Sequence, residues 1–193
     1  MEPERREKIL HVTDKIANAL VEAQRTLWTL SAIHHHSRES PSIDEARPVV
    51  MDQIWRGLFD RLYMKVGSVI ENSKPAGNLN YLKSLVLEEK NIDPEAYNAI
   101  TQAFERLEEF EEFRQWRNKT IAHNDLDFDA NLFYEKHKRH VSSYQPILDE
   151  LYIVLNTVSY HVLQTMYGKP AEAEYQQFLL DAGALYAINE VRK

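Results

Sequence analysis

The sequence has no cysteine, only five glycines and no long apolar run, and these absences exclude several classes of protein. Without cysteine the chain forms no disulfide, carries no thiol nucleophile and offers no zinc-thiolate site, a usage that suits a reducing cytoplasm. No stretch approaches the roughly 20 apolar residues of a membrane span, and the charged first residues lack the apolar region of a signal peptide. We therefore expect a soluble, cytoplasmic protein that does not contact a membrane.

Several short catalytic motifs are also absent. The sequence contains no glycine-rich phosphate loop, no Gly-x-Ser-x-Gly elbow and no His-Glu-x-x-His helix, which leaves the familiar nucleotide hydrolase, esterase and metalloprotease interpretations without support. The formal net charge of -7 argues against a general nucleic-acid coat protein, because such binding depends on a basic surface that neutralises phosphates.

Apolar residues recur at spacings of three and four along the 193-residue chain, and this period predicts an all-α fold. We predict an antiparallel helical bundle of five to six helices, in which residues 1–170 form one domain and residues 171–193 form a C-terminal helix packed on it. The predicted helices run from about Pro3 to Ile33, Ile43 to Asn72, Asn78 to Asn91, Asp93 to Ala122, Leu132 to Tyr167 and Ala171 to Val191.

Capping residues and apolar stripes support these boundaries. Asn78 and the Asp93-Pro94 pair are typical of helix starts, Pro146 is expected to split or kink the fifth helix, and Gly168 to end it. The apolar positions predicted to face the core include Ile9, Ile16, Leu20, Leu27, Leu30, Ile54, Leu62, Val66, Leu79, Leu82, Tyr97, Ile100, Phe104, Phe110, Leu148, Leu151, Leu155 and Val158.

One segment has the composition of a site: the fourth predicted helix closes with Arg-Asn-Lys-Thr-Ile-Ala-His-Asn, from Arg117 to Asn124. An arginine, an adjacent amide and a histidine are the groups with which a metal-free enzyme handles a phosphodiester. On a regular helix Arg117 and His123 point about 120° apart and lie about 9 Å apart along the axis, so they do not share a face. The end of the helix at His123, or a symmetric dimer, is needed to bring such groups together.

This segment, with Trp116 before it, resembles the HEPN domains (higher eukaryote and prokaryote nucleotide-binding) and within them the abortive-infection AbiU-type branch. The family motif is an arginine, a polar residue directly after it and a histidine four to six residues beyond the arginine, and Arg117, Asn118 and His123 match it. The resemblance implies a metal-independent endoribonuclease with a toxin or phage-defence role and no cofactor. It also implies a homodimer that acts on RNA at a cleft between protomers, beside a possible nucleotidyltransferase-like antitoxin.

The resemblance also implies roles for single residues. His123 is expected to act as general base or acid, Arg117 to hold and stabilise the phosphate, and Asn118 to orient His123 or donate to a phosphate oxygen. Further candidates for substrate binding are Lys119, Thr120, Asn124, Lys136, Lys138 and Arg139, the last three belonging to the most basic short run of the chain.

Other interpretations of these residues stay open. Arg117 pairs with Glu111 or Glu112 in a purely structural interpretation, and the basic run is then a solvated face. A HEPN fold that binds a nucleotide, RNA or a partner protein without cleaving is a further alternative, favoured by the acidic net charge. His34, His35 and His36 invite a metal interpretation, but adjacent helical residues point about 100° apart, so a solvated helix end is favoured and no metal site is predicted.

Overall fold

The computed structural model describes residues 2–39, 48–70, 77–89, 92–110 and 141–171, together with positions 173, 174 and 177. Throughout these residues the chain is helical or irregular and forms no strand, so the all-α prediction is confirmed for the described part. The α-helices are α1 (Pro3–Glu39), α2 (Pro48–Ile70), α3 (Leu79–Leu87), α4 (Pro94–Glu105) and α5 (Tyr144–Leu163). Short 3₁₀ helices continue α4 over Arg106–Phe110 and precede α5 over Val141–Ser143.

Helix α1 is the centre of the bundle and packs against α2, α3 and α5. Its direction relative to α5 follows from two side-chain contacts. Gln24 Nε2 donates to Gln145 Oε1 at 2.6 Å, and Arg6 Nη2 donates to the Leu163 carbonyl at 3.5 Å. Because the two contacts lie the same number of residues apart in each helix, in opposite order, α1 and α5 run antiparallel in a fixed register.

The core is built from the apolar stripes that the three- and four-residue spacing predicts. Every described helix contributes, and one connected cluster includes Ile9, Ile16, Leu20, Leu27, Leu30, Leu62, Val66, Leu79, Leu82, Ile100, Phe104, Phe110, Leu148, Leu151, Leu155 and Val158. Two predicted core positions are wrong: Ile54 is 42% exposed and Tyr97 is 45% exposed. Tyr97 lies in the first turn of α4 and Ile54 in the second turn of α2, and apolar spacing defines a face of a helix without showing that another element covers it.

Two adjacent arginines at the start of α1 bind the ends of two other helices. Arg5 donates to the Leu85 carbonyl through Nε at 3.0 Å and Nη2 at 2.6 Å, and it also pairs with Glu88 and Glu89. Arg6 donates to the Leu163 carbonyl at the end of α5. The last carbonyls of a helix lack partners within the helix, so these arginines satisfy the C-terminal ends of α3 and α5.

Both predicted N-caps are confirmed. Asn78 Oδ1 accepts a hydrogen bond from the Tyr81 backbone N–H at 2.7 Å. Asp93 Oδ2 accepts from the N–H groups of Glu95 and Ala96 at 3.0 and 3.1 Å, with Pro94 in the first turn. These caps satisfy donors that the first turn of a helix leaves unpaired.

The fourth predicted helix was expected to continue to Ala122, but its α-helical part ends at Glu105 and a 3₁₀ helix follows to Phe110. The apolar spacing explains the change. Phe104, Leu107 and Phe110 are three residues apart, and a helix with about three residues per turn places them on one face. Phe104 and Phe110 are buried and Leu107 packs against the core. Residues 111–122 of the predicted helix lie outside the described residues.

The fifth predicted helix differs at both ends. Residues 132–140 lie outside the described part, and α5 begins at Tyr144. Pro146 does not split it, because this proline falls in the first turn, where its missing N–H removes no helical hydrogen bond. The helix ends at Leu163 and not at Gly168: Gln164 adopts a left-handed φ of 56° and donates its N–H to the Tyr160 carbonyl at 3.1 Å.

Two further boundaries differ from prediction, and one predicted helix is largely untested. Helix α1 continues past Ile33 to Glu39, because no proline or glycine interrupts it before residue 40. Helix α3 ends at Leu87, short of Asn91. Of the predicted C-terminal helix, positions 173, 174 and 177 are helical and most of the rest lies outside the described residues.

Candidate functional site

The segment that carries the motif lies outside the described residues, and so does the basic run that follows it. The candidate residues concerned are Arg117, Asn118, Lys119, Thr120, His123, Asn124, Lys136, Lys138 and Arg139. The structure does describe the two places at which the segment 111–140 joins the bundle, at Phe110 and at Val141. The geometry of these two junctions is therefore the structural information on the site.

Both junctions are held in the core. Phe110 is 8% exposed and Val141 is 6% exposed, and both belong to the same buried cluster. Close to the first junction, Arg106 Nη1 donates to Glu150 Oε1 at 2.8 Å and thereby links the end of α4 to α5. The same hydrogen bond, with the negative charge of Glu150, raises the pKa of the Arg106 guanidinium.

Aromatic side chains fix the second junction. Tyr144, three residues after Val141, hydrogen-bonds Tyr63 of α2 through their hydroxyls at 3.2 Å, and both side chains are buried. The Phe59 ring lies 5.8 Å from that of Tyr144, and Trp55 stacks on Phe59 at 5.3 Å. Such ring pairs stabilise a fold by more than the burial of their apolar area alone accounts for. The chain therefore returns from the candidate segment at a point where side chains of α2 and α5 are in direct contact.

A polar network lies beside the same junction. Gln24 and Gln145 exchange hydrogen bonds at 2.6 and 3.0 Å, and Gln145 Nε2 also donates to Asp149 Oδ1 at 2.9 Å. Lys169 Nζ binds the same Asp149 oxygen at 2.9 Å. Three separate parts of the chain, α1, α5 and the residues after α5, are joined at this end of the bundle.

The residues after α5 run back along it. Asn156 exchanges two hydrogen bonds with the Tyr167 backbone, and Lys169 then reaches Asp149, about two turns closer to the start of α5. The Tyr167 hydroxyl donates to Asp14 Oδ1 at 2.6 Å. Burial, and then this hydrogen bond, raise the pKa of Tyr167. The chain is thus directed, as it leaves Lys169, towards the end of the bundle that carries both junctions.

One buried hydroxyl in α5 is unpaired within the described part of the chain. Tyr152 is 1% exposed, and among the described residues its Oη has no hydrogen-bond partner. Burial raises the pKa of Tyr152 to about 12. Its hydroxyl is therefore neutral at physiological pH and carries an unrecovered desolvation cost.

Metal ligands do not cluster in the part of the chain that the structure describes: no group of three histidine, aspartate or glutamate side chains there is placed to hold an ion. His34, His35 and His36 lie within the helical backbone of α1, and their side chains are outside the described set. In the described ranges no helix is both long and apolar enough to cross a bilayer.

The contacts that fix the junctions were not predicted. The hydrogen-bonded partners Gln24 and Gln145 are 121 residues apart in sequence, and Tyr63 and Tyr144 are 81 residues apart. The one signal available was the polar Gln24 beside the apolar stripe of α1, since a buried amide requires a polar partner.

Comparison with known proteins adds one finding. The family model HEPN_AbiU2, described as AbiU2, matches residues 6–173. No curated protein and no solved structure matches the chain. The matched range contains every described helix apart from the first residues of α1, and it also contains the whole of the segment 111–140.

Proposed function

The chain belongs to the AbiU2 family of HEPN proteins, as the motif at Arg117 to His123 predicted, and from this membership we propose that it is a metal-independent endoribonuclease with a toxin or phage-defence role. The observation that carries the proposal is the extent of the family match, which runs through the motif and does not stop before it. The junctions add support, because Phe110 and Val141, which flank the motif-bearing segment, both belong to the buried core that α5 helps to form.

In the proposed reaction the ribose 2'-oxygen attacks the adjacent phosphorus. The 2'-oxygen to phosphorus bond forms, the bond from phosphorus to the 5'-oxygen breaks, one proton leaves the 2'-hydroxyl and one proton is delivered to the 5'-oxygen. His123 accepts the proton of the 2'-hydroxyl or donates a proton to the 5'-oxygen, because an imidazole side chain can act as base or acid near neutral pH. Water accepts or donates the proton at the other oxygen. The products are a 2',3'-cyclic phosphate and a 5'-hydroxyl.

The other motif residues act on the phosphate. Arg117 binds its non-bridging oxygens through the planar fork of guanidinium donors and stabilises the charge that develops there. Asn118 orients His123 or donates to a phosphate oxygen. Lys119, Thr120, Asn124 and the basic run with Lys136, Lys138 and Arg139 contact the flanking RNA.

The assembly and setting are part of the same proposal. Since Arg117 and His123 do not share a face on a regular helix, a homodimer that brings two motif segments together at a cleft is the proposed active form. We place the reaction in the cytoplasm, where RNA is available, under the restraint of a nucleotidyltransferase-like antitoxin.

A second candidate function is a non-catalytic dimeric HEPN module that binds a nucleotide, RNA or a partner protein. The net charge of -7 favours it, because a general RNA-cleaving surface is expected to be more basic. The two functions differ in whether His123 is chemically required.

The test is cleavage of total RNA and tRNA by the purified protein in EDTA, with analysis of the cut ends. His123→Ala and Arg117→Ala are compared with His11→Ala, which makes the same histidine substitution at an exposed position of α1. We expect cleavage that leaves 2',3'-cyclic phosphate ends with the parent protein and with His11→Ala, and its loss in the two motif variants.

Two results would count against the nuclease. Cleavage that persists in His123→Ala at the parent rate would show that the motif does not carry the reaction. RNA binding without cleavage by the parent protein, also after addition of a co-expressed partner, would favour the non-catalytic module.

A further inference from the structure

A cluster of positive side chains lies between α1 and α2. Glu22 of α1 is bound by Lys65 Nζ and approached by Arg61 Nη2 at 3.8 Å, both from α2. The hydrogen bond from Lys65 and the charges of Lys65, Arg61 and Arg25 lower the pKa of Glu22 against the opposing effect of its burial. Among the described contacts, Glu22 is thus the carboxylate that lies between Lys65 and Arg61, and Arg25 lies three residues further along α1 on the same side of that helix.

This excess of positive charge contrasts with other ion pairs of the described residues. Arg5 meets two carboxylates, whereas Arg106 and Lys169 meet one each. On a chain of net charge -7, a place where the described contacts set three cations around one carboxylate is a place where an anion lowers the local electrostatic energy.

The cluster has donors available for a ligand. The Arg61 side chain is 60% exposed, and 3.8 Å from Nη2 to the Glu22 carboxylate is longer than a hydrogen bond. The Arg25 side chain is exposed to solvent. Lys65 is 34% exposed, and its ammonium carries three N–H groups, of which Glu22 takes one. Two planar guanidinium forks and a point charge are the groups that proteins use for phosphates.

The position of the cluster relates it to the candidate segment. Tyr63 lies between Arg61 and Lys65 in α2 and hydrogen-bonds Tyr144, just beyond the junction at Val141. Side chains two residues apart on a helix point about 200° apart, so the cluster and the junction lie at the same level on opposite sides of α2. An RNA strand that contacts both must therefore pass around α2, and half the circumference of a helix about 10 Å wide is roughly 16 Å, which a few nucleotides span.

We propose that Arg25, Arg61 and Lys65 form a surface that binds the phosphodiester backbone of an RNA strand, at a distance from the phosphate that is cut. The ligand class rests on the proposed function. Glu22 holds Arg61 and Lys65 in place and at the same time reduces the net charge of the surface.

The experiment measures RNA binding separately from cleavage. The probe is a labelled oligouridylate of about 20 nucleotides, followed by fluorescence anisotropy with the full-length His123→Ala protein in EDTA, between about 50 and 200 mM salt. Into this background we introduce Arg25→Gln with Arg61→Gln. The matched control is Lys8→Gln with Lys83→Gln, two cations that lie over the rings of Tyr81 and Phe104. Circular dichroism checks that all proteins are folded.

We expect the arginine pair variant to bind RNA more weakly. The slope of log affinity against log salt is negative, and its magnitude should decrease by about 0.7 for each lost phosphate contact, hence by about 1.4 in total. The lysine control should show the same slope as the His123→Ala protein without further substitutions. Glu22→Gln in the same background binds more tightly, because it removes the one negative charge while leaving three cations.

The outcomes separate the two proposals. Equal slopes for the arginine variant and the lysine control, with RNA bound by the parent, would overturn the surface and leave the nuclease proposal standing. A loss of binding specific to the arginine variant, together with no RNA cleavage by the protein that retains His123, would support the surface and count against the nuclease. No binding of the oligouridylate by the His123→Ala protein at any of these salt concentrations would overturn the surface, and the cleavage assay then decides the nuclease proposal by itself.

Discussion

Replacing Gln24 alone is expected to destabilise the fold at least as much as replacing Gln24 and Gln145 together. Gln24 is 3% exposed, and its amide exchanges hydrogen bonds at 2.6 and 3.0 Å with that of Gln145. Gln24→Met removes both bonds while nearly preserving the length of the side chain. The amide of Gln145 then faces the apolar surface of α1 without its partner.

The magnitude follows from what Gln145 retains. An unsatisfied buried polar group costs about 1 to 3 kcal/mol. Gln145 is half-buried and still donates to Asp149, so we expect a loss of about 1 to 2 kcal/mol for Gln24→Met. With methionine at both positions no amide is left unpaired, and Asp149 keeps its bond to Lys169. The double variant should therefore cost no more than the single one.

The measurement is a double-mutant cycle on the free energy of unfolding, from urea titrations followed by circular dichroism. We expect the two substitutions to be coupled by about 1 kcal/mol or more. Asn18→Met, at an exposed position of α1, is the control and should change stability by less than about 0.5 kcal/mol. Costs that simply add in the double variant would refute the reasoning, because they would show that the two amides do not depend on each other.

Three further outcomes are expected. Tyr152→Phe should leave stability unchanged or raise it, because it removes an unpaired buried hydroxyl; a loss above about 1 kcal/mol in urea titration would contradict this. Because burial raises the pKa of Tyr152 from 10.0 to about 12, this tyrosine is neutral in both the folded and the unfolded state below pH 10, whereas it ionises first in the unfolded state as the pH rises towards 12 and so lowers stability there; the same titrations in this range should show a shallower decline for Tyr152→Phe. Asp93→Ala should lower the free energy of unfolding by about 1 kcal/mol through loss of the cap, whereas Asp93→Asn should retain most of it.

The features that could be predicted from the sequence are those that depend on neighbouring residues. Asn78 and Asp93 were recognised as caps because a short polar side chain before an apolar helical stretch satisfies the first N–H groups of that helix. The buried stripes followed from spacing alone, since a helix places every third or fourth side chain on one face. The family also followed from a local motif, at Arg117 to His123.

The features that were missed depend on distant parts of the chain. The change to 3₁₀ geometry after Glu105 serves the burial of Phe110 in the core, and the core is not visible in the local sequence. Helix α5 ends at Gln164, which adopts a left-handed conformation, four residues before Gly168, where the end of the helix was expected. Ile54 and Tyr97 fit their apolar stripes but are exposed, because spacing does not show which part of a stripe another element covers. The roles of Arg117, Asn118 and His123 stay predictions, because those residues lie outside the described part.

The arginine contacts at the start of α1 set an order in which the fold can be completed. Arg5 and Arg6 bind carbonyls that are 80 and 157 residues further along the chain. At about 5 to 20 residues per second of synthesis, the end of α5 emerges on the order of ten seconds or more after α1. During that interval α2 and α3 can already pack on α1, whereas the face of α1 that contacts α5 stays uncovered. The bundle is therefore completed only when the final helix arrives.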